Sequence, residues 1–192
     1  MRGFLNRIRL SPGWCFLLAL LLRVLPLPWL GAALLAAGFH ELGHLAALAL
    51  WGVFPRRIQL GLGGAVIYPP FLSRPGCIFC TLAGPAASLA LLAVRAHFPR
   101  LALCGAVQGI CNLLPLPCSD GSRILGLLLG FLLPPCRCLR VLNGIQQLCL
   151  LAVSSLALAA GLFFHSLFPL TIIPVLLIFK QQIVKNPCKY RS

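Results

Sequence analysis

Acidic side chains are almost absent from this sequence. Only Glu41 and Asp120 carry a carboxylate among 192 residues, against sixteen Lys and Arg, so the formal net charge is +14. Charged residues make up 9% of the chain and hydrophobic residues 60%. That leaves too little polar surface to cover a water-exposed globule. The composition excludes an ordinary soluble domain, and without polar–apolar alternation it also excludes a membrane barrel. It predicts a helical membrane protein.

The basic residues form no nucleic-acid-binding surface. They lie in the joints between apolar runs, without a basic face or a recognisable nucleic-acid fold, so we expect no nucleic-acid partner. This distribution favours orientation in a lipid bilayer by the positive-inside rule and attraction to anionic lipid.

The ten cysteines do not indicate a disulfide framework, because most of them sit inside apolar runs where Cys behaves as a small hydrophobe. Cys77-x-x-Cys80 and Cys136-x-Cys138 have the spacing of metal or redox pairs. Small apolar packing is the commoner use of such pairs in a membrane helix.

Apolar runs separated by prolines and basic residues predict an all-α polytopic protein with about six transmembrane helices. The predicted spans lie near residues 10–25, 29–53, 75–94, 101–133, 141–164 and 167–179. We take the chain as a single integral-membrane domain over 1–192, with a catalytic core at about 29–133 and a C-terminal helical pair at about 141–180. The first span resembles a signal peptide but is taken as uncleaved. Basic segments at both ends predict cytoplasmic termini.

Two of the four histidines flank one of the two carboxylates. His40-Glu41-Leu42-Gly43-His44 is an H-E-x-x-H sequence inside an apolar run. On a helix, His40 and His44 lie on one face, so both rings can bind one metal ion. Glu41 can then act on water as a general base. A structural use is unfavourable, because a carboxylate at mid-membrane costs about 2.5–3.5 kcal/mol. The motif predicts one catalytic Zn²⁺ per chain.

A catalytic zinc ion usually has three protein ligands and one open position. Asp120 is the best candidate for the third ligand. His97 and His165 lie in predicted loops, and the other carboxylate already has the role of base. Cys111 and Cys118 remain alternatives.

The stretch around Asp120 is predicted to interrupt a helix. It reads C-N-L-L-P-L-P-C-S-D-G over 111–121, and two prolines and a glycine must unwind a helix there. Freed carbonyls, Asn112 and Asp120 then collect at one depth, which marks a site. Asn112 is a candidate donor to an oxyanion. The alternative for Asp120 is a helix N-cap after Ser119.

A short glycine-rich stretch follows the metal motif. Residues 58–68 read I-Q-L-G-L-G-G-A-V-I-Y and predict a membrane-associated β-hairpin or re-entrant element. Gly61, Gly63 and Gly64 do not indicate a phosphate loop, because no strand–turn–helix context follows. We expect these glycines to contact substrate, since an edge of the element could pair with an extended peptide.

Three stretches together resemble the signature motifs of site-2 proteases, the intramembrane zinc metalloproteases. They are His40-Glu41-Leu42-Gly43-His44, Ala83-Gly84-Pro85, and Asn112-Leu113-Leu114-Pro115 followed by Asp120-Gly121. The resemblance covers roughly residues 10–133, and it is greatest to the stage IV sporulation protein FB subgroup. Cys118 and Ser119 replace the usual proline and aliphatic residue before the aspartate, and Ser122 replaces a second glycine.

The resemblance implies His40, His44 and Asp120 as zinc ligands, Glu41 as base and Asn112 in the active-site region. It implies a membrane-embedded or membrane-tethered protein substrate, such as a pro-sigma or anti-sigma factor in regulated intramembrane proteolysis or sporulation. It further implies a multi-pass protein of a bacterial-type cell membrane, and leaves a regulatory membrane partner open.

The alternative function is a membrane metal carrier or channel that uses His40, His44 and Asp120 as a transit site. Such a protein needs polar residues across the whole membrane thickness. The polar residues here are predicted in one layer, which favours the enzyme.

Overall fold

The computed structural model describes residues 8–10, 18–19, 21–23, 25–53, 57–61, 64–68 and 72–163. It forms two compact units, Met1–Asn112 and Leu113–Ser192. The elements in chain order are β1 (Ile8–Leu10), α1 (Leu27–Leu50), β2 (Arg57–Gly61), β3 (Gly64–Tyr68), α2 (Arg74–Ala90), a 3₁₀ turn (Leu91–Val94), α3 (Pro99–Leu113), α4 (Asp120–Leu132) and α5 (Pro135–Phe163). The protein is mostly helical. The prediction of a single domain over 1–192 stays a prediction.

Three helices in the described part of the chain are long and apolar enough to cross a membrane. They are Leu27–Leu50, Arg74–Val94 and Pro135–Ala157. Only 22%, 28% and 6% of their most apolar windows are buried inside the protein. Their outer faces therefore need an apolar solvent, which indicates a membrane protein. The prediction of six spans is not tested, because most of the first predicted span and all of the last lie outside the described residues.

The ends of α1 and α2 follow from local sequence signals. α1 begins after Pro26 with proline in its first turn, and it ends at Leu50 with Trp51 as its C-cap. α2 begins after Ser73, whose hydroxyl accepts a hydrogen bond from the Gly76 backbone N–H at 3.4 Å. Proline is tolerated in a first turn, where its missing N–H would have no partner within the helix. These bounds agree closely with the predicted spans 29–53 and 75–94.

Helices α1 and α2 pack with their backbones in contact. A Cβ on Gly43 would lie 2.5 Å from the Ala83 carbonyl oxygen and 2.7 Å from the Ala87 Cβ. Small residues permit such an approach, and in lipid this close van der Waals packing is a main source of helix association. Towards the end of α1, the contact continues as a small apolar core of Ala47, Leu48 and Cys80.

Helix α3 packs on the other end of α2 through two glycines. A Cβ on Gly105 would lie 2.7 Å from the Ser88 carbonyl oxygen, and one on Gly109 would lie 3.2 Å from the Pro85 carbonyl oxygen. The first turn of α3 carries Arg100, whose guanidinium carbon lies 6.0 Å from the centre of a Trp29 ring at the start of α1. Helices α1, α2 and α3 of the first unit are thus held by close backbone contacts.

The strands form one sheet in the order β1-β2-β3. β2 and β3 are antiparallel and pair Gly61 with Gly64, within the stretch where the sequence predicts a hairpin or re-entrant element. β1 pairs in parallel with β2, Ile8 opposite Ile58. Leu10, near which the first span was predicted to begin, is the last residue of β1 and pairs through its backbone with β2. The location of the sheet at the membrane stays a prediction.

The second unit begins where α3 ends, at the predicted interruption. Proline at 115 disfavours helix in the preceding residue, and Cys118 has a positive φ of 62°. α5 begins at Pro135, six residues before the predicted span, since proline suits the first helical position. Arg137 and Arg140, predicted in a loop, therefore lie in the first turns of α5. A Cβ on Gly126 of α4 would lie 3.2 Å from Leu142 of α5, so these helices also pack closely.

Candidate metal centre

The two histidines of the H-E-x-x-H sequence lie one helical turn apart on α1. Their Nε2 atoms are 3.2 Å apart. The ring planes are at 86° with centroids 4.8 Å apart, so the rings meet edge to face. Two nitrogens bound to one tetrahedral zinc at about 2.0–2.1 Å would lie about 3.3 Å apart. His40 and His44 therefore already have the spacing of two ligands of one metal ion.

Each histidine is held through its other ring nitrogen by α2. His44 Nδ1 lies 2.7 Å from the Cys80 carbonyl oxygen. A carbonyl only accepts, so Nδ1 carries the proton and donates, and in the neutral ring Nε2 keeps its lone pair. His40 Nδ1 lies 2.9 Å from the Ser88 hydroxyl. Metal-binding histidines almost always use their second nitrogen in this way, which sets ring orientation and tautomer.

A glycine of α2 makes room for the second histidine. A Cβ on Gly84 would collide with the Nε2 and Cε1 atoms of the His44 ring. Cys80 lies one turn before Gly84 and supplies the carbonyl that anchors the same ring. One short stretch of α2 therefore sets both the position and the orientation of His44.

Asp120 is the first residue of α4 and is 7% exposed. It is not the N-cap that one reading of the sequence allowed, because Ser119 has that role. The Ser119 hydroxyl accepts a hydrogen bond from the Ser122 N–H at 3.1 Å. Its single O–H is shared between two acceptors, the carbonyl oxygens of Leu114 at 2.6 Å and Leu116 at 2.8 Å. Ser119 thus closes the interruption and caps α4, so the cap does not require Asp120.

Among the described residues, His40, His44 and Asp120 form a group that could hold a metal ion. One potential ligand atom from each lies within 4.8 Å of the other two. Two imidazole nitrogens and a carboxylate oxygen are a donor set that suits zinc and leaves a fourth position open. Among the described residues this group includes no cysteine, and Cys111 and Cys118 are exposed. The residues present therefore fit a catalytic metal ion.

The other predicted site residues are placed as follows. Glu41 is half-buried on α1, next to His40. Asn112 donates from Nδ2 to the Gln108 carbonyl oxygen of its own helix at 3.1 Å. Gly61 ends β2 and Gly64 begins β3, while Gly63 lies outside the described residues. The roles of these residues stay predictions.

The two remaining histidines do not join the group. His97 is exposed in the turn before α3, and His165 lies outside the described residues.

Sequence reasoning missed the residues that hold the two histidines. Ser88 is 48 positions from His40 and the Cys80 carbonyl is 36 positions from His44, so no local pattern connects them. The signal was the run Ala83-Gly84-Pro85-Ala86-Ala87-Ser88, in which a lone hydroxyl follows small residues. From sequence, Ala83-Gly84-Pro85 contributed only to the resemblance to site-2 proteases, and Ser88 was given no role.

No protein-family model and no curated protein matches the chain. Among solved structures, the site-2 protease from Methanocaldococcus jannaschii superimposes on it with a TM-score of 0.65. The match covers 91% of this chain and 89% of that chain, at 22% sequence identity. At this identity the likeness concerns the fold, so the chain has the fold of a site-2 protease.

Proposed function

We propose that the protein is an intramembrane zinc metalloendopeptidase of the site-2 protease type. The observation that carries the proposal is the 3.2 Å distance between the Nε2 atoms of His40 and His44, with both rings held through Nδ1. A carboxylate oxygen of the buried Asp120 lies within 4.8 Å of a ligand atom of each histidine. The shared fold supports it. His40, His44 and Asp120 would hold the ion. Zinc, when bound, supplies a Lewis acid for hydrolysis.

Glu41 has the role of general base in this proposal. The chain has two carboxylates, and Asp120 belongs to the group with the histidines. Glu41 is the remaining carboxylate and follows His40 directly on α1. It accepts a proton from the attacking water and returns it to the leaving amine. The Ser88 and Cys80 anchors hold the imidazoles still during both transfers.

Asn112 is the proposed donor to the tetrahedral oxyanion. Its amide has two N–H groups, and one donates to the Gln108 carbonyl of α3. That bond fixes the amide plane, and the second N–H is available to the oxyanion. A fixed donor costs no reorganisation when negative charge develops.

A transmembrane helix hides its peptide bonds, so a substrate must be extended before cleavage. The sheet offers an edge for such a strand. β1 pairs with the outer edge of β2 over three residues, so we propose that an added strand pairs with β3. Gly61 ends β2 and Gly64 begins β3, where missing side chains would let another backbone approach, and we propose that both, together with Gly63, contact the substrate.

The cellular setting extends the proposal. We place about six spans in a bacterial-type cell membrane, with both termini in the cytoplasm and the lipid bilayer as a constant partner. The substrate class is a membrane-embedded or membrane-tethered protein, and no nucleic acid takes part. Resemblance to the stage IV sporulation protein FB subgroup adds a pro-sigma or anti-sigma factor as substrate and a regulatory membrane partner.

Glu41→Gln tests this function, because the amide keeps the shape of the side chain but cannot accept a proton. The probe is a labelled, unstructured apolar polypeptide in detergent micelles, with and without a zinc chelator. We expect cleavage by the native protein and no cleavage by Glu41→Gln or after chelation. Unchanged cleavage by Glu41→Gln would refute the proposal. Zinc flux into vesicles that survives in that variant would identify a metal carrier instead.

A further inference from the structure

We propose that Ser88 is a positioning residue for the metal centre, which orients His40 through its hydroxyl and couples that ring to α3 through its backbone. The inference rests on the proposed metal site and adds a residue that no motif assigns. Ser88 itself contacts neither the metal nor the substrate in this scheme. It acts through His40.

The first observation is an asymmetry between the two anchors. His44 is held by the backbone carbonyl of Cys80, which a side-chain substitution does not remove. His40 is held by the Ser88 side chain at 2.9 Å, and Ser88 is 0% exposed. A buried hydroxyl needs a hydrogen-bonding partner, since an unmet one costs about 1–3 kcal/mol. The His40 ring and the Ser88 hydroxyl therefore restrain each other.

The second observation places the other side of Ser88 against α3. A Cβ on Gly105 would lie 2.7 Å from the Ser88 carbonyl oxygen, a distance that real Cβ atoms almost never show. A Cβ there would also contact Leu91, the first residue of the 3₁₀ turn that follows α2. Ser88 is thus enclosed between α1 and α3, and a displacement of α3 at Gly105 is transmitted to the hydroxyl that holds His40.

A packing role alone makes a different prediction. Small residues favour close helix contacts, so a serine at such a contact can be replaced by alanine with little effect. A positioning role requires the hydroxyl itself. Ser88→Thr and Ser88→Val separate the two, because both add the same branched volume and only threonine keeps a hydroxyl.

The experiment measures Zn²⁺ affinity of the full-length protein in micelles by competition with a chromophoric chelator. Co²⁺ absorption reports the ligand geometry in the same samples. We expect Ser88→Ala to weaken Zn²⁺ binding about 10–100-fold, as removal of such outer-shell partners does. Ser88→Thr should bind at least about tenfold more tightly than Ser88→Val, with a Co²⁺ spectrum nearer the native one.

The coupling to α3 is tested with Gly105→Ala, which should weaken Zn²⁺ binding although it touches no histidine. Gly38→Ala is its matched control, because a Cβ there meets nothing within 4 Å although His40 lies two residues away. It should bind Zn²⁺ like the native protein. In the double variant Ser88→Ala/Gly105→Ala, the loss of Zn²⁺ binding free energy should be smaller than the sum of the two single losses, because both substitutions act through one contact.

The outcomes separate this inference from the proposed function. Absence of Zn²⁺ binding by the native protein overturns both. Native binding together with equal affinities for the alanine, threonine and valine variants overturns the role of Ser88 and leaves the metal site intact. Fully additive losses in the double variant overturn the coupling to α3 alone.

Discussion

Replacing Gly84 by alanine should weaken metal binding at the centre. The added Cβ would collide with the His44 ring, so the ring must move. Movement lengthens either the 2.7 Å bond from Nδ1 to the Cys80 carbonyl or the 3.2 Å spacing between Nε2 and its partner on His40. Loss of one such anchor costs about 10–100-fold in metal affinity. That is about 1.4–2.7 kcal/mol of binding free energy.

The effect of Gly84→Ala on folding is limited, because two contributions oppose each other. Alanine in place of glycine inside a helix stabilises by about 0.5–1 kcal/mol. Insertion of one methyl group into a packed contact costs about 1–3 kcal/mol. The net change in unfolding free energy is therefore a loss of no more than about 2.5 kcal/mol, which thermal unfolding in micelles measures without zinc.

The assay for Gly84→Ala is Zn²⁺ competition in parallel with thermal unfolding. Gly38→Ala serves as control, since it adds the same methyl group to open space on α1. We expect a large loss of affinity for Gly84→Ala and none for Gly38→Ala. Native Zn²⁺ affinity in a folded Gly84→Ala protein would show that the His44 ring is not held where the structure has it, and would refute the reasoning.

Three further substitutions probe other contacts. Gly43→Ala adds a methyl group against the α2 backbone, at a packing cost of about 1–3 kcal/mol that outweighs a helix gain of about 0.5–1, so it should lower the unfolding free energy by up to about 2.5 kcal/mol. Gly31→Ala, in open space, should raise it by about 0.5–1 kcal/mol, and equal effects would contradict the α1–α2 contact. Cys118 has a φ of 62°, so Cys118→Gly should be about 1 kcal/mol more stable than Cys118→Ala in thermal unfolding, and the reverse order would exclude that conformation. Arg100 lies over Trp29, and because Trp favours the boundary between lipid and water, we expect the guanidinium to meet lipid headgroups there. In melting assays with neutral vesicles as reference, anionic vesicles should therefore stabilise the native protein by about 1 kcal/mol more than they stabilise Arg100→Gln.

The sequence predicted well those parts of the fold that depend on local chemistry. Prolines flank α1 and interrupt the chain after α3, and a long apolar run between them needs no tertiary information to be interpreted as helix. The predicted start of α5 was wrong by six residues, because Pro134-Pro135 with Arg137 and Arg140 was interpreted as a loop. Proline is equally compatible with a loop and with the first turn of a helix, and only the packing of α5 on α4 decides between them.

In the candidate site, too, some residues could be predicted from local sequence and others depend on helix packing. His40 and His44 could be paired from sequence because a helix sets their spacing, and Asp120 could be named because so few carboxylates exist to choose from. The roles of Ser88 and Gly84 in holding the histidine rings could not be predicted from sequence, because they depend on how α2 lies against α1. That arrangement is set by contacts between small residues, and the sequence does not show which residues each of them will contact.

The two tryptophans at the ends of α1 have a consequence for how water reaches the histidines. Trp and Tyr favour the boundary between lipid and water, and Trp29 and Trp51 lie about 33 Å apart along a helix that rises about 1.5 Å per residue. This is about the thickness of a hydrocarbon layer. On the same scale the midpoint of the His40–His44 turn lies about 14 Å from the Trp51 boundary and about 20 Å from the Trp29 boundary. The shorter route for solvent to the metal centre therefore runs from the side of Trp51, next to the start of α2.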